Sequence, residues 1–185
     1  MPSINVNFLH NLQDDYRNYN VFIETGTYHG GTIFAMEPHF KQLHTVEYDQ
    51  KLYNSTKSRY NGNKINFILG DSSVVFKDLL PTIEEKAIFF LDGHWSCEDT
   101  GQSEKDVPLI EEITHINEFF KKEAILIIDD YRLFGTYIPG VEPNWSDISK
   151  DNIMQILLAR IHKLYHLDSP MSRDDRLIIH LREIE

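Results

Sequence analysis

The segment NVFIETGTYHGGTIFAMEPHF at residues 20–40 passes from an apolar run through glycines into an amphipathic stretch. The apolar run NVFIET (20–25) predicts a β-strand, and GGTIFAMEPHF (30–40) predicts a short helix. Glycines between them allow the backbone to turn sharply and to approach a ligand closely. Their spacing from Gly26 to Gly30 differs from the G-x-G-x-x-G of dinucleotide-binding loops. The segment therefore predicts a strand–loop–helix unit whose loop either binds a ligand or is only a tight turn.

The same alternation continues to the C-terminus and predicts a doubly wound α/β fold. Strands that alternate with helices form βαβ units, which build a mostly parallel sheet with helices on both faces. The length of 185 residues suits one domain over residues 1–185, and we expect a helical extension over 1–19. We predict strands at 20–25, 42–49, 65–71, 86–93, 123–131 and 175–183, and helices at 30–40, 50–62, 72–83, 107–122 and 147–166. Asp106 is expected at the N-cap of the helix at 107–122.

Composition and charge limit the classes of partner. The formal net charge of −11 would repel a phosphate backbone, which argues against nucleic acid and favours a small molecule. Apolar runs such as AIFFL (87–91) are far shorter than the roughly 20 residues of a membrane span. The N-terminus lacks the pattern of a secretory signal. The single cysteine, Cys97, fits a reducing, cytoplasmic setting.

Polar residues occur where the first three predicted strands end, and ligands of such folds bind at the carboxyl ends of strands. The first strand ends at Glu24 and the glycine loop. The second ends at Glu47, 21 residues after Gly26, where an acid can accept hydrogen bonds from ribose hydroxyls. The alternative is a surface glutamate. The third strand ends at Asp71 and Ser72, which either cap the next helix or face an adenine edge.

A second group of polar residues follows the fourth and fifth strands. LDGHWS supplies Asp92 and His94, and IIDDYR supplies Asp129 and Asp130. If these strands are neighbours, three carboxylates and an imidazole converge on one rim. Crowded carboxylates repel one another and need a cation or a shared proton, and oxygen ligands suit Mg²⁺. The alternative is that the aspartates cap turns and His94 is a structural histidine.

These blocks resemble a known superfamily over roughly residues 20–183. FIETGTYHGGT, HTVEYD, FILGDSS and FFLDGHWS resemble, in order, the blocks of class I S-adenosylmethionine-dependent methyltransferases. LDGHWS followed by LIIDDYR is also similar to the macrocin O-methyltransferase group, which methylates sugars with the help of a metal. The resemblance implies a Rossmann-like fold with a seven-stranded, mostly parallel sheet. It also implies O-methylation of a small-molecule hydroxyl, such as that of a sugar.

The resemblance also implies roles for individual residues. It places the metal ligands at Asp92, Asp129 and Asp130, with Mg²⁺ as the metal. Asp92 and His94 are the implied catalytic residues, with His94 as the base where the family usually has an acidic residue. Contacts with S-adenosylmethionine are implied for Glu24, Gly26, Thr27, Gly30, Glu47, Asp71, Ser72 and Asp92.

Two segments are expected to form the acceptor side of the site, at residues 93–107 and 132–147. The loop at 95–106 has the length of a lid, and Trp95 could be a platform for a sugar ring or an ordinary surface tryptophan. Aromatic residues in these segments suit either a ligand wall or a subunit contact, which leaves a homodimer open.

Three rival functions stay open. A nicotinamide-dependent oxidoreductase would require a different glycine spacing. A cofactor-fold binding module without catalysis would use Asp92 and Asp130 only as caps. A metal-dependent hydrolase would use the acidic rim but would have no need of Glu47 or the glycine loop.

Overall fold

The computed structural model describes residues 3–93, 107–139 and 143–185. Its centre is a seven-stranded sheet with the order β3-β2-β1-β4-β5-β7-β6. The strands are β1 Val21–Thr25, β2 Gln42–Glu47, β3 Ile65–Leu69, β4 Ala87–Leu91, β5 Ala124–Ile128, β6 Ile161–Leu167 and β7 Arg176–Leu181. The α-helices of the described residues are α1 Val6–Leu9, α2 Gly31–Met36, α3 Gln50–Lys57, α4 Ser72–Leu79, α5 Leu109–Phe119 and α6 Lys150–Leu157.

The strand order confirms the predicted mostly parallel, doubly wound fold. Strands β1 to β5 pair in parallel, whereas β7 is antiparallel to both β5 and β6. The chain starts at the centre, moves outward to β3 and then returns to β4 beside β1. Ligands of open α/β sheets bind at such a reversal, outside the carboxyl ends of the strands. Thr25 at the end of β1 pairs with Val46 on β2 and with Leu91 on β4, so the three loops that follow lie side by side.

Both faces of the sheet are buried, which explains the nearly continuous apolar strands. All five residues of β1, β4 and β5 are buried. One face packs against α4, α5 and α6 through side chains such as Phe76, Ile113 and Ile153. The other face packs against α1 and α2 through Leu9 and Ile33. Helices therefore cover both faces, as predicted.

One predicted helix is wrong in its second half. The stretch at 147–166 forms α6 only as far as Leu157, and Ile161–Leu167 is the edge strand β6. Ile153 and Leu157 are buried on the helix as expected. Ile161 belongs to the strand, where it pairs with Leu181 of β7. The pairing with β7 decides the structure of this segment because tertiary context overrides the helical spacing of its apolar residues.

The remaining boundaries agree to within a few residues. Helix α5 starts at Leu109 with Pro108 as its N-cap, while the expected cap, Asp106, lies outside the described residues. In the expected N-terminal extension, α1 is followed by a 3₁₀ turn at Tyr16–Asn18. Among the described residues, no helix is long and apolar enough to cross a membrane.

Candidate active site

The glycine loop after β1 turns directly against the end of β4. Gly26 has a left-handed φ of +80°, and a Cβ at this position would lie 2.5 Å from the carbonyl oxygen of Asp92. Its N–H donates to the carbonyl of Val46 at 3.0 Å. Gly30 begins α2 with φ +73°, and a Cβ there would lie 2.6 Å from the side chain of Thr56. Both positions therefore require glycine for space as well as for conformation.

Glu24 lies beneath this loop as a buried acid. It is 2% exposed, and its Oε2 accepts a hydrogen bond from the Thr45 hydroxyl at 2.8 Å. The Thr45 and Thr27 hydroxyl oxygens are 2.6 Å apart, which links Glu24 to the loop. Burial raises the pKa of Glu24 well above its usual value, and the nearby charges of Asp92 and Glu47 raise it further. A cationic ligand would favour the ionised form of this carboxyl.

Glu47 is fixed at the end of β2 by two backbone donors. Its Oε2 accepts from the N–H of Tyr28 at 2.8 Å, and its Oε1 accepts from the N–H of Asp49 at 2.8 Å. Tyr28 has φ +47°, a rare conformation for a residue other than glycine, in which its N–H points to Glu47. Burial raises the pKa of Glu47 despite these donors. Each carboxylate oxygen keeps a further lone pair, so Glu47 can accept hydrogen bonds from a ligand as well.

Asp71 is the N-cap of α4 and Ser72 is the first residue of that helix. Asp71 caps α4, because its Oδ1 accepts from the N–H of Ser73 at 2.9 Å and from the Ser73 hydroxyl at 2.6 Å. The capping role that the sequence left open is thus present. Ser72 is 7% exposed and points inward, where its hydroxyl donates to Oε1 of Glu112 at 2.5 Å.

Glu112 is a buried acid that the sequence prediction missed. It lies on α5 and is 1% exposed. Burial raises its pKa to about 7, against the lowering effects of the neighbouring Ser72 and Thr25 hydroxyls. The sequence does contain a pattern that predicts this burial, because residue 112 follows Leu109 by three residues and precedes Ile116 by four. Residues with this spacing share one helix face, so Glu112 had to lie on the apolar side of α5.

Asp92 and Asp129 are neighbours at the ends of β4 and β5. The Ser3 hydroxyl donates to Oδ2 of Asp92 at 3.3 Å. Burial raises the pKa of Asp92 well above its usual value, and the charges of Asp129 and Asp130 raise it further. Arg176 lies 3.1 Å from Oδ1 of Asp129 through its Nε. The positive charge of Arg176 opposes the effect of burial, which still raises the pKa of Asp129.

Asp130 adopts a left-handed conformation with φ +58° and pairs with a second arginine. The Nη1 of Arg132 lies 2.5 Å from Oδ1 of Asp130 and 2.5 Å from Oδ2 of Asp175. Asp175 is buried at the start of β7 and accepts further hydrogen bonds from the N–H of Arg132 and the hydroxyl of Ser169. The ligand atoms of Asp129, Asp130 and Asp175 lie within 4.8 Å of one another.

Two of the three predicted magnesium ligands, Asp129 and Asp130, have arginine partners, and the acid that lies with them is Asp175 and not the predicted Asp92. Carboxylate oxygens are the right chemistry for Mg²⁺, and Asp129 and Asp130 lie together as expected. Arg176 and Arg132, however, already contact oxygens of these two residues and supply the positive charge that a cation would bring. As arranged, the carboxylates do not fit a resident Mg²⁺ unless an arginine moves. Magnesium binding stays a prediction of the sequence.

Several predicted features lie outside the described residues. These are His94, Trp95 and the rest of the proposed lid at 95–106, together with residues 140–142 of the second acceptor-side segment. The described part of that second segment includes Trp145, which is buried against Phe134 in a stacked arrangement with ring centroids 6.0 Å apart.

Comparison with known proteins places this arrangement in a common fold. No family model and no curated protein matches the sequence. Solved structures of methyltransferases do match in three dimensions. The chain has the class I methyltransferase fold.

Three of these structures illustrate the likeness. TomG, an O-methyltransferase from Streptomyces achromogenes involved in tomaymycin synthesis and solved with S-adenosylmethionine, has a TM-score of 0.59 at 14% identity, covering 91% of this chain and 75% of TomG. CalS10, an amino pentose methyltransferase from Micromonospora echinaspora, has 0.60 at 8% identity, covering 89% and 84%. NodS, an N-methyltransferase from Bradyrhizobium japonicum solved with S-adenosylhomocysteine, has 0.57 at 12% identity, covering 96% and 91%. Structural similarity at such low sequence identity establishes the fold alone. The reaction has to be inferred from the residues of the site.

Proposed function

We propose that this protein transfers the methyl group of S-adenosylmethionine to a hydroxyl group of a small molecule, with a sugar as the first acceptor class to test. The observation that carries the proposal is that Glu47 is buried and held in a fixed orientation beside the glycine loop. Two backbone N–H groups orient this buried carboxyl, and its remaining lone pairs can accept both hydroxyls of a ribose. A surface glutamate would need neither burial nor two backbone donors.

The other predicted cofactor residues fit the same ligand. Glu24 lies beneath the loop and Thr27 within it, and a cationic group such as an ammonium or a sulfonium would stabilise the ionised form of the buried Glu24 carboxyl, whose pKa burial raises. Asp71 and Ser72 lie at the end of β3, next in the sheet to β2, on the side where an adenine would follow the ribose. Acidic residues thus follow one another along the ends of β1, β2 and β3 in the order that a nucleoside with a charged tail would require, which supports the proposal.

Methyl transfer mainly requires that the protein position the two reactants. When bound, the cofactor supplies an already activated methyl group. The protein then has to hold the acceptor oxygen in line and remove its proton. The acceptor would lie at the end of β4, where burial raises the pKa of Asp92 well above its usual value and makes this carboxyl a stronger base than an exposed aspartate. Asp92 and His94 remain the predicted catalytic residues.

Calorimetric titration with S-adenosylhomocysteine tests the cofactor site. We expect micromolar binding to the wild type and at least about tenfold weaker binding to Glu47→Ala, because hydrogen bonds to a charged acceptor are lost. Glu118→Ala is the matched control, since Glu118 is an exposed acid on α5. It should bind like the wild type. A wild type without affinity for S-adenosylhomocysteine would contradict the methyltransferase proposal.

A further inference from the structure

Glu112 contacts the loops that follow two different strands. Its Oε1 accepts the Ser72 hydroxyl at 2.5 Å, and Ser72 is the first residue of α4, directly after the loop that follows β3. A Cβ added to Gly93 would lie 3.3 Å from the same Oε1, so the carboxyl packs against the backbone that follows β4. Glu112 itself is on α5, behind both loops, and is 1% exposed.

The end of β1 meets the same place through Thr25. This residue is fully buried, and its hydroxyl has no well-formed hydrogen bond to any of the described residues. A Cβ on Gly93 would lie 2.9 Å from the Thr25 hydroxyl oxygen, on the same side as Glu112. The hydroxyl is near enough to Glu112 to lower its pKa. The end of β1, the start of α4 after β3 and the backbone after β4 therefore all lie against one buried carboxyl.

Little free space surrounds this contact. Glu112 borders a cavity of about 10 Å³ that is also lined by Asp92, Gly93, Asp129 and Trp145. This volume is near the minimum for a single water molecule. A shorter or apolar side chain at position 112 would leave the Ser72 hydroxyl without its present acceptor.

We propose that Glu112 is a positioning residue that sets the affinity for the cofactor by holding the β1, β3 and β4 loops in register. The inference rests on the proposed function and deepens it, since Ser72 and the neighbours of Thr25 and Gly93 are the predicted cofactor contacts. Glu112 acts through Ser72 and Gly93 and not through a contact of its own with the ligand. Placing one acceptor behind both loops fixes their relative positions before the ligand arrives.

The test compares substitutions at position 112 by calorimetry with S-adenosylhomocysteine. Glu112→Gln keeps an acceptor for Ser72 at nearly the same shape and should bind within about threefold of the wild type. Glu112→Leu and Glu112→Asp cannot accept from Ser72 at the same distance and should bind at least about tenfold more weakly. Glu118→Gln, the same chemical change at an exposed site of α5, should have no effect.

A purely structural role would give a different result. In that case the substitutions would shift the urea unfolding midpoint, while the folded fraction would bind S-adenosylhomocysteine like the wild type. Equal affinity of folded Glu112→Asp and the wild type overturns the inference, and this variant decides the question if Glu112→Leu does not fold. Failure of the wild type itself to bind would instead refute the proposed function. Rescue by Gln together with loss in Asp supports the positioning role.

Discussion

Gly26 has no room for a side chain, because its α-carbon faces the backbone of Asp92. A Cβ would lie 2.5 Å from the Asp92 carbonyl oxygen. We expect Gly26→Ala to push the glycine loop away from β4 and to weaken S-adenosylhomocysteine binding by at least about tenfold. Titration calorimetry of the folded variant measures this loss.

Gly135→Ala is the control for backbone strain. Gly135 has a similar φ of +72°, but a Cβ there would meet nothing within 4 Å. Alanine should therefore cost about 1 kcal/mol of stability at Gly135 and leave the affinity unchanged. Equal binding losses in both variants would show that the clash with Asp92 is irrelevant to the cofactor site.

The ionisation of Glu112 should oppose folding at neutral pH. Its pKa of about 7 in the folded protein exceeds the 4.5 of a free glutamate, so the native state holds a proton that the unfolded state has lost. Stability must then fall as pH rises from the unfolded value to the folded one. Glu112→Gln replaces the carboxyl with a group that does not ionise in this pH range. We therefore expect the difference in free energy of unfolding between Glu112→Gln and the wild type to change by about 2 kcal/mol in favour of the variant as the pH rises from 5 to 8.

Urea unfolding at the two pH values measures this difference. Glu24, Asp92 and Glu47 also have raised pKa values, but they are present in both proteins and cancel in the comparison. A gain that is the same at both pH values would indicate a packing effect and would contradict the assigned ionisation.

Single residues set the limit of the sequence prediction. Glu24, Gly26 and Glu47 could be proposed as site residues because chemistry-bearing side chains at strand ends need no knowledge of packing. The arginines could not. Arg176 contacts Asp129, and Arg132 contacts Asp175, only after the turn following β5 and the start of β7 come together. Pairing across 47 residues of sequence leaves no local pattern.

At the level of elements, the error at β6 has an identifiable cause. Ile153, Leu157, Ile161 and Leu164 keep helical spacing through the point where α6 ends. No glycine or proline interrupts the residues between Leu157 and Ile161, so the usual helix-ending signals are missing. The turn is instead set by Arg160, whose N–H donates to the carbonyl of Leu157 at 2.8 Å and whose side chain is buried. A buried arginine is too rare to be expected from sequence.

Arg160 joins helix α5 to the C-terminal strands. Its guanidinium donates to the carbonyls of Ile116, Phe120, Lys122 and Arg182 at 2.7 to 3.2 Å. Ile116 lies in the last turn of α5 and Phe120 is its C-cap, so the guanidinium adds to the N–H of Phe120 as a donor to the Ile116 carbonyl. We expect Arg160→Met to lower the free energy of unfolding by about 3 kcal/mol, because buried carbonyls lose a charged donor.

Urea unfolding tests this loss, with Arg173→Met as the control at an exposed arginine. The control should change stability by less than about 0.5 kcal/mol. A neutral or stabilising Arg160→Met would mean that relief of the buried charge outweighs the lost hydrogen bonds.

For the whole molecule, the predictable part of the site follows from topology alone. A sheet that starts at β1 and reverses to β4 brings the ends of β1, β2 and β4 together whatever their sequences. Glu47 therefore lies beside the glycine loop, and Asp92 beside Asp129. What topology does not determine is how the resulting negative charge is balanced. This depends on which distant side chains fill the space behind the rim.

The balance of charge at this rim determines how the protein should respond to Mg²⁺. Arg176 is 5% exposed in its side chain, contacts Asp129 and donates to the carbonyl of Ser3 at 2.8 Å. Because this fixed cation already compensates Asp129, millimolar Mg²⁺ should leave the thermal midpoint of the wild type unchanged beyond the effect of ionic strength. EDTA should not alter S-adenosylhomocysteine affinity. Arg176→Met should melt at a lower temperature and be partly restored by Mg²⁺, because its carboxylates then lack a counter-charge.

Differential scanning calorimetry with Mg²⁺ and with Na⁺ at equal ionic strength measures these shifts. Arg173→Met is again the control, since it removes the same charge from an exposed position. A molecule with a formal net charge of −11 attracts any cation to its surface. Only a response that is specific to Arg176→Met therefore shows that Mg²⁺ acts at the carboxylates beside Arg176. If instead the wild type is strongly stabilised by Mg²⁺ beyond the Na⁺ control, the ion binds despite Arg176. That result would support the magnesium ligands implied by the sequence. It would contradict the view that the arginines alone balance the charge of these carboxylates.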